Sequence, residues 1–268
     1  MIKLNGTVIM QGRFPDNTLA LKEIDLISDY GANWIDWFYD GDEEMFTIMS
    51  LVDIVKRNSS GKIYLDMPYL PNARMDRIKT DTENFALKVF ANWINSLGFD
   101  KIFVENVHSN VSNALVNNIV NNLPNGDIRI ITKDYDFDVI FFPDEGACKR
   151  YKDMDVIKEL GLPIAFGIKN RDWKTGEILG MTIMGDDVSG KNVLIVDDIC
   201  SKGFTFYYAG QQLKEHGAND VRLYITHCED NIKNGEILKT DVISKVYTTD
   251  SICHIVDKKI EFVRNFTK

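Results

Sequence analysis

Residues 193–205 read VLIVDDICSKGFT, and no other run of the chain limits its fold so tightly. Val193, Leu194, Ile195 and Val196 are continuously apolar and mostly β-branched, as expected for a strand buried on both faces of a parallel sheet. Asp197 and Asp198 follow at once. Next come a small polar loop, with Ser201, Lys202, Gly203 and Thr205, and the helical spacing of Phe206, Ala209 and Leu213. A strand that passes through a short loop into a helix leaves backbone N–H groups and the positive end of the helix dipole facing the loop. That arrangement holds an anion. A loop built for phosphate alone would not open with two acids, which repel it. Two carboxylates suit neutral hydroxyl donors such as those of a ribose, with a phosphate held a few residues later. The plainer alternative is a buried strand that ends in a solvated acidic turn.

The rest of the chain repeats the alternation. Strand-like runs are expected at 34–39, 62–67, 101–104, 139–142, 164–167, 193–196 and 221–226. Helical periodicity marks 43–57, 82–97, 112–121, 153–160 and 206–216. Gly61, Gly98, Gly161 and Gly217 fall just past helices or before strands, as C-terminal stops. The order predicts an α/β protein with mostly parallel sheets flanked by helices. At 268 residues there is room for two domains. The polar stretch NNLPNGD (121–127) is the expected boundary, giving 1–127 and 128–268. NSLGFDKIFVENVHSN (95–110) and KEHGANDVRLYITHCED (214–230) follow one plan, each with a histidine, His108 or His227, just beyond a strand.

Composition narrows the class. Thirty-one basic and 40 acidic residues leave a net charge of −9, which argues against a nucleic-acid partner. No apolar run approaches the roughly 20 residues of a membrane span. The start, MIKLNGTVIMQGRF, lacks the pattern of a secretion signal. Cys148, Cys200, Cys228 and Cys253 show no paired spacing and read as reduced thiols, not metal ligands or disulfides. The expectation is a cytoplasmic globular protein with no membrane partner.

The run VLIVDDICSKGFT resembles the sugar-phosphate motif of the phosphoribosyltransferase and phosphoribosyl pyrophosphate (PRPP) synthetase superfamily. PYLPNARMDR (68–77) is similar to the ATP-contacting segment of the synthetases, which transferases that consume PRPP do not usually carry. FPD (14–16), NVH (106–108), PDEGACKR (143–150) and the K-x-R of IKNRDW (168–173) follow in family order. The resemblance implies two phosphoribosyltransferase-like domains, the N-terminal one contacting ATP and the C-terminal one ribose phosphate. It implies an enzyme that moves the β,γ-diphosphate of ATP onto the anomeric hydroxyl of a ribose 5-phosphate moiety, with Mg²⁺. It also implies a homo-oligomer, in which Phe14 and Asp16 reach a neighbour's ATP.

Residue by residue, the resemblance makes Lys169 and Arg171 the catalytic cations, on a mobile loop continuing through Trp173, Lys174, Thr175 and Gly176. Arg74, Met75, Asp76, Arg77 and His108 would contact ATP. His108 and Asp144 would hold Mg²⁺, and Gly146 and Ala147 would close a diphosphate-binding turn. Asp197 and Asp198 would take the ribose hydroxyls, and Ser201, Lys202, Gly203, Phe204 and Thr205 the 5′-phosphate. Departures bear on the substrate. Asn106 replaces an Asp, which weakens the case for a metal ligand there. Met75 replaces a Gln, Thr18 a Glu, and Ser201 an Asp beside the ribose. Phe204 replaces a glycine and Lys202 a small hydroxyl residue. A ring and a cation at the 5′ end suit a longer acceptor such as ADP-ribose, with adenine stacked on Phe204; otherwise Phe204 fills the helix–sheet core. A transferase consuming PRPP and an inactive regulatory homologue remain as alternatives.

Overall fold

Apolar runs pair into two sheets, and the computed structural model places them in two compact units, Met1–Asn122 and Leu123–Lys268. The structure describes residues 1–21, 24, 26–29, 31–171 and 178–266; for 169–171 and 178–180 it describes the backbone alone.

The first unit contains, in chain order, β1 (Ile2–Leu4), β2 (Thr7–Val8), β3 (Gly12–Arg13), β4 (Leu19–Ala20), β5 (Asn33–Trp37), α1 (Glu44–Asn58), β6 (Ile63–Asp66), α2 (Ala86–Ser96), β7 (Lys101–Glu105), α3 (Asn110–Leu115) and β8 (Ile119–Asn122). Strands β5 to β8 are parallel neighbours, β1 joins antiparallel to β5, and β2 forms the edge antiparallel to β1. Ile48, Leu51, Val52 and Val55 of α1 lie at helical spacing, as do Leu87, Phe90, Ala91 and Ile94 of α2. Both stripes bury against Ile35, Leu65, Ile102 and Val104. The strands β3 and β4 form a separate antiparallel hairpin.

The second unit contains α4 (Asn125–Asp134), β9 (Val139–Phe142), α5 (Glu145–Tyr151), α6 (Asp155–Leu160), β10 (Ile164–Arg171), β11 (Ile178–Gly185), β12 (Asn192–Cys200), α7 (Phe204–Glu215), β13 (Asp220–Cys228), a 3₁₀ turn (Asp230–Asn234), β14 (Lys245–Thr249) and β15 (Ile260–Arg264). The strand order is β11-β10-β9-β12-β13-β14-β15, and every pair but β10–β11 is parallel. Strand β12 is central and covered on both faces. Val193 and Ile195 pack with Phe206, Ala209 and Leu213 of α7, whereas Leu194 and Val196 pack with Tyr151, Ile128 and Val156. Each such Val, Leu, Ile or Phe side chain contributes about 1.5–3 kcal/mol through burial, so the end of β12 is held firmly.

The structure corrects several expected elements. The helix expected at 112–121 stops at Leu115, because Asn118 turns the chain in the left-handed region (φ 55°) and Ile119 and Val120 pair with β7. The stretch 121–127, expected as the domain boundary, holds the division between the two units after Asn122, and it is made of the end of β8 and the first turn of α4. Residues 145–147, expected in a loop, begin α5, whose N-cap Asp144 accepts from the Ala147 N–H at 3.0 Å. His227 does not follow its strand. It lies within β13, buried, with Nδ1 2.8 Å from Ser251 Oγ. Among the described residues no helix is long and apolar enough to cross a membrane.

Candidate active site

In the first unit the segment after β6 and the loop after β7 leave the same edge of the sheet, because β6 and β7 are parallel neighbours. Arg74, Met75, Asp76, Arg77 and His108 therefore line one cleft of about 340 Å³, together with Lys79 and Glu83. Arg77 donates from Nε to Asp76 Oδ1 at 2.7 Å and from Nη2 to Oδ2 at 3.2 Å. That fork holds the Asp76 carboxyl below the ordinary carboxylate range against the opposing effect of burial, with Ser109 and the charge of His108 adding to it. Asp76 is buried while Arg74, Met75 and Arg77 are exposed, so the acid anchors and the cations face outward. Asn106 is fully buried with φ 41°, and its N–H donates to Asn122 O at 2.8 Å. Asparagine tolerates this left-handed turn better than most residues, which accounts for it physically at the exit of β7. Phe14 and Asp16 do not line the cleft. They sit at the tip of the β3–β4 hairpin, where Phe14 is exposed and Thr18 donates to Asp16 Oδ1 at 2.7 Å.

In the second unit the chain passes from β9 to β10 on one side, whereas β12 leads to β13 on the other. Such a switch point opens a crevice beyond the C-terminal ends of β9 and β12, the usual ligand position in this architecture. Asp144 stands past the end of β9, and Asp197 and Asp198 near the end of β12. The acids do not lie in a loop as expected. The strand runs on through them, paired to β13 as far as Cys200 opposite Cys228. Burial, and then the charge of Asp198, push the Asp197 carboxyl well above its ordinary range. Asp198 is buried and has an ion pair with Arg150 of α5, Nη1 to Oδ1 at 3.4 Å. Arg150 is a site residue that the motif order alone does not single out, although its place within PDEGACKR is visible.

The loop that follows is closed from behind. Asn231 donates to Ser201 Oγ at 2.9 Å. Gly203 takes φ 79°, and a Cβ there would press on the Ile237 side chain, so glycine is strongly favoured. Helix α7 starts at Phe204, two residues earlier than expected, with no side-chain cap. The N–H groups of its first turn thus have no intrahelical acceptor and face the loop. Phe204 is 54% exposed and does not fill the core. Tyr208, one turn on along the same face and 46% exposed, went unnoticed in the sequence.

Lys169 and Arg171 have their backbone on β10, paired with Met181 and Ile178, not in a loop. Strand β10 is next to β9, so both positions also belong to the C-terminal edge of the sheet. Trp173, Lys174, Thr175 and Gly176 lie outside the described residues. No three His, Cys, Asp or Glu side chains among the described residues form a metal cage. A nucleotide-borne Mg²⁺ needs less, since phosphates and water fill most of its shell and one or two carboxylates suffice. Asp144 fits that donor set, although one of its oxygens caps α5; an imidazole such as His108 is a weaker match.

A mostly parallel sheet with a switch point, an acid pair near the end of its central strand and an uncapped helix beyond define an α/β protein of the phosphoribosyltransferase type. The phosphoribosyl transferase domain family matches residues 128–258. Ribose-phosphate pyrophosphokinase of Campylobacter jejuni is 30% identical over 214 residues, covering 78% of this chain and 68% of that protein. The enzyme of the same name from Cereibacter sphaeroides is 29% identical over 216 residues, and the match spans 63% of its length and 78% of this chain. The phosphoribosylpyrophosphate synthetase structure from Mycobacterium smegmatis shares the fold, with a TM-score of 0.78 at 19% identity over 96% of this chain and 86% of that one. The chain belongs to the ribose-phosphate pyrophosphokinase family.

Proposed function

We propose that the protein is a diphosphokinase that transfers the β,γ-diphosphate of ATP to the C1 hydroxyl of a ribose 5-phosphate moiety. The hydroxyl oxygen bonds to the β-phosphorus, the bridge to the α-phosphate breaks, AMP leaves and the hydroxyl loses its proton. The observation that carries this reading is the cleft in which Arg74, Arg77 and His108 converge. A transferase that consumes PRPP has no use for it. Arg74 and Arg77 supply cations for the ATP phosphates, and Asp76 fixes Arg77. Asp197 and Asp198 accept from the ribose hydroxyls, and the first turn of α7 takes the 5′-phosphate. Lys169 and Arg171 cover the charge that spreads over the transferring phosphoryl oxygens. Mg²⁺, when bound with ATP, screens the phosphate charge, and Asp144 and His108 are its candidate protein contacts.

Ribose 5-phosphate is the default acceptor. A second reading, ADP-ribose, is supported by the exposed Phe204 and Tyr208 beside Lys202, which also faces solvent. A charge partner for a 5′-diphosphate and a ring for its base would favour the larger acceptor by roughly ten- to a hundredfold. Phe14 and Asp16, on the projecting hairpin, complete the ATP site of a second copy, which makes the active form a homo-oligomer. The test is to incubate the protein with Mg–ATP and either acceptor and to measure AMP and the diphosphorylated sugar. AMP formed in step with one acceptor supports the reading, and Phe204→Gly should erode a preference for ADP-ribose without stopping transfer. Diphosphate release from PRPP with a base makes the protein a transferase, and nucleotide binding without AMP makes it a regulatory homologue.

A further inference from the structure

We propose that Arg150 is a positioning residue for the acceptor, acting through Asp198 to fix the acid pair that receives the ribose hydroxyls. The proposal rests on the acceptor site assigned above and names a residue within it. Consecutive carboxylates at a strand end repel one another, and burial sharpens that repulsion unless a cation lies close by. Arg150 is such a cation, with Nη1 3.4 Å from Asp198 Oδ1 and its side chain 26% exposed against 5% for the acid. The guanidinium is itself held. It donates to Tyr151 Oη at 3.3 Å and lies 5.4 Å from the centroid of the Tyr151 ring. Tyr151 is fully buried and stacks on Phe142 of β9 at 6.1 Å, so the support is part of the core and not a surface contact.

The placement has a second consequence. Helix α5 is only seven residues long, about 10 Å from end to end. It carries Asp144 as its N-cap and Arg150 in its last turn. The same short helix therefore sets the acid beyond β9 and, through Arg150, the acid near the end of β12, on the two strands that flank the switch point. A planar guanidinium can stack on Tyr151 and bond Asp198 together, whereas an ammonium can do only the second.

The experiment compares wild type with Arg150→Met, Arg150→Lys, Asp198→Asn and the double variant Arg150→Met/Asp198→Asn in the diphosphate-transfer assay. Arg150→Met should raise the acceptor KM about tenfold or more and leave the ATP KM within about twofold, with Arg150→Lys recovering part of the loss. The double variant should be no worse than the more damaging single one, because both changes disable one unit. Equal rises in both KM values, a lysine variant no better than methionine, or additive effects of Arg150→Met and Asp198→Asn would overturn the proposal. If Arg150→Met fails to fold, Arg150→Lys decides: a rise confined to the acceptor KM supports the proposal, and any other pattern overturns it. Wild-type protein that forms no AMP with either acceptor ends the diphosphokinase reading alone. Calorimetric titration with ribose 5-phosphate and with ADP-ribose then gives the same comparisons as dissociation constants, and wild type that binds neither overturns the positioning role too.

Discussion

Arg77 in the first unit and Arg150 in the second each pair with a buried aspartate, yet the two pairs are built the opposite way round. Arg77 meets Asp76 through a short fork, Nε to Oδ1 at 2.7 Å, and keeps its side chain 69% exposed against 4% for the acid. Arg150 meets Asp198 at 3.4 Å with its head turned inward onto Tyr151. In the first pair the acid anchors a cation that faces a cleft. In the second a cation anchors an acid at a strand end. The difference suits the ligands proposed for each unit. A triphosphate is gripped by exposed positive charge, whereas neutral hydroxyls are oriented by acceptors that cannot swing.

The largest effect expected belongs to neither pair. Lys169→Ala or Arg171→Ala should lower turnover by about two orders of magnitude or more without unfolding the protein, as for groups that act mainly on transition-state charge. Steady-state kinetics with circular dichroism checks it. Near-normal turnover in both variants would move the catalytic charge to the exposed arginines and break the division of labour.

A smaller effect sharpens the contrast directly. Arg77→Met should raise the KM for ATP about tenfold and Asp198→Asn the KM for acceptor by a similar factor, each with under about threefold change in the other. Crossed effects in the same assay would show that the two pairs do not serve separate ligands.

Smaller again is a change in stability. The Asp197 carboxyl is pushed well up by burial and by Asp198, so its ionised form opposes folding as the pH rises through that raised value. Asp197→Asn should therefore weaken acceptor binding yet raise the melting temperature by about 2–4 °C at pH 8. The gain should shrink at pH 5, closer to the ordinary carboxylate range near 4, where ionisation costs the folded state less. Thermal melts of both proteins at the two pH values test this, and a stabilisation that grows on acidification would refute the assignment.

The smallest effect has the opposite sign. Arg77 holds Asp76 low, and Ser244, Arg222 and Tyr135 hold Asp220 low despite its burial. A carboxyl whose folded value is depressed stabilises above its ordinary range near 4, and that contribution fades as the pH falls through the depressed value. Asp76→Asn should thus narrow the melting difference between pH 6 and pH 3 slightly, by about a degree. An unchanged difference would mean that the Asp76–Arg77 fork adds nothing to the fold.

The sequence made some of these elements plain and hid others for identifiable reasons. Long apolar runs such as 139–142 and 193–196 bury both faces, so their composition alone marks them. The strands β1 to β4 are two or three residues long, too short for any period to show. Strand β8 and helix α4 were obscured by asparagines that mark the domain boundary yet also turn and pair; Asn125 Oδ1, for example, accepts from the Val156 N–H at 3.1 Å. Helix α5 was hidden because its N-cap and first turn carry residues that resemble a ligand-binding loop. Phe204 could not be placed from sequence, since a ring at the start of a helix serves equally well inside or outside until the turn before it fixes the direction.

By itself the sequence determined the local chemistry: where strands give way to polar loops, which residues carry charge, and the order of motifs that marks the family. These depend on side-chain type and spacing, which a linear chain displays in full. Only the tertiary structure decided which charges meet. His108 joins Arg74 and Arg77 because β6 and β7 are parallel neighbours, and Arg150 reaches Asp198 because β9 lies beside β12 in the sheet. Strand order is set by which apolar faces bury together across the whole chain, and no window of sequence contains that information.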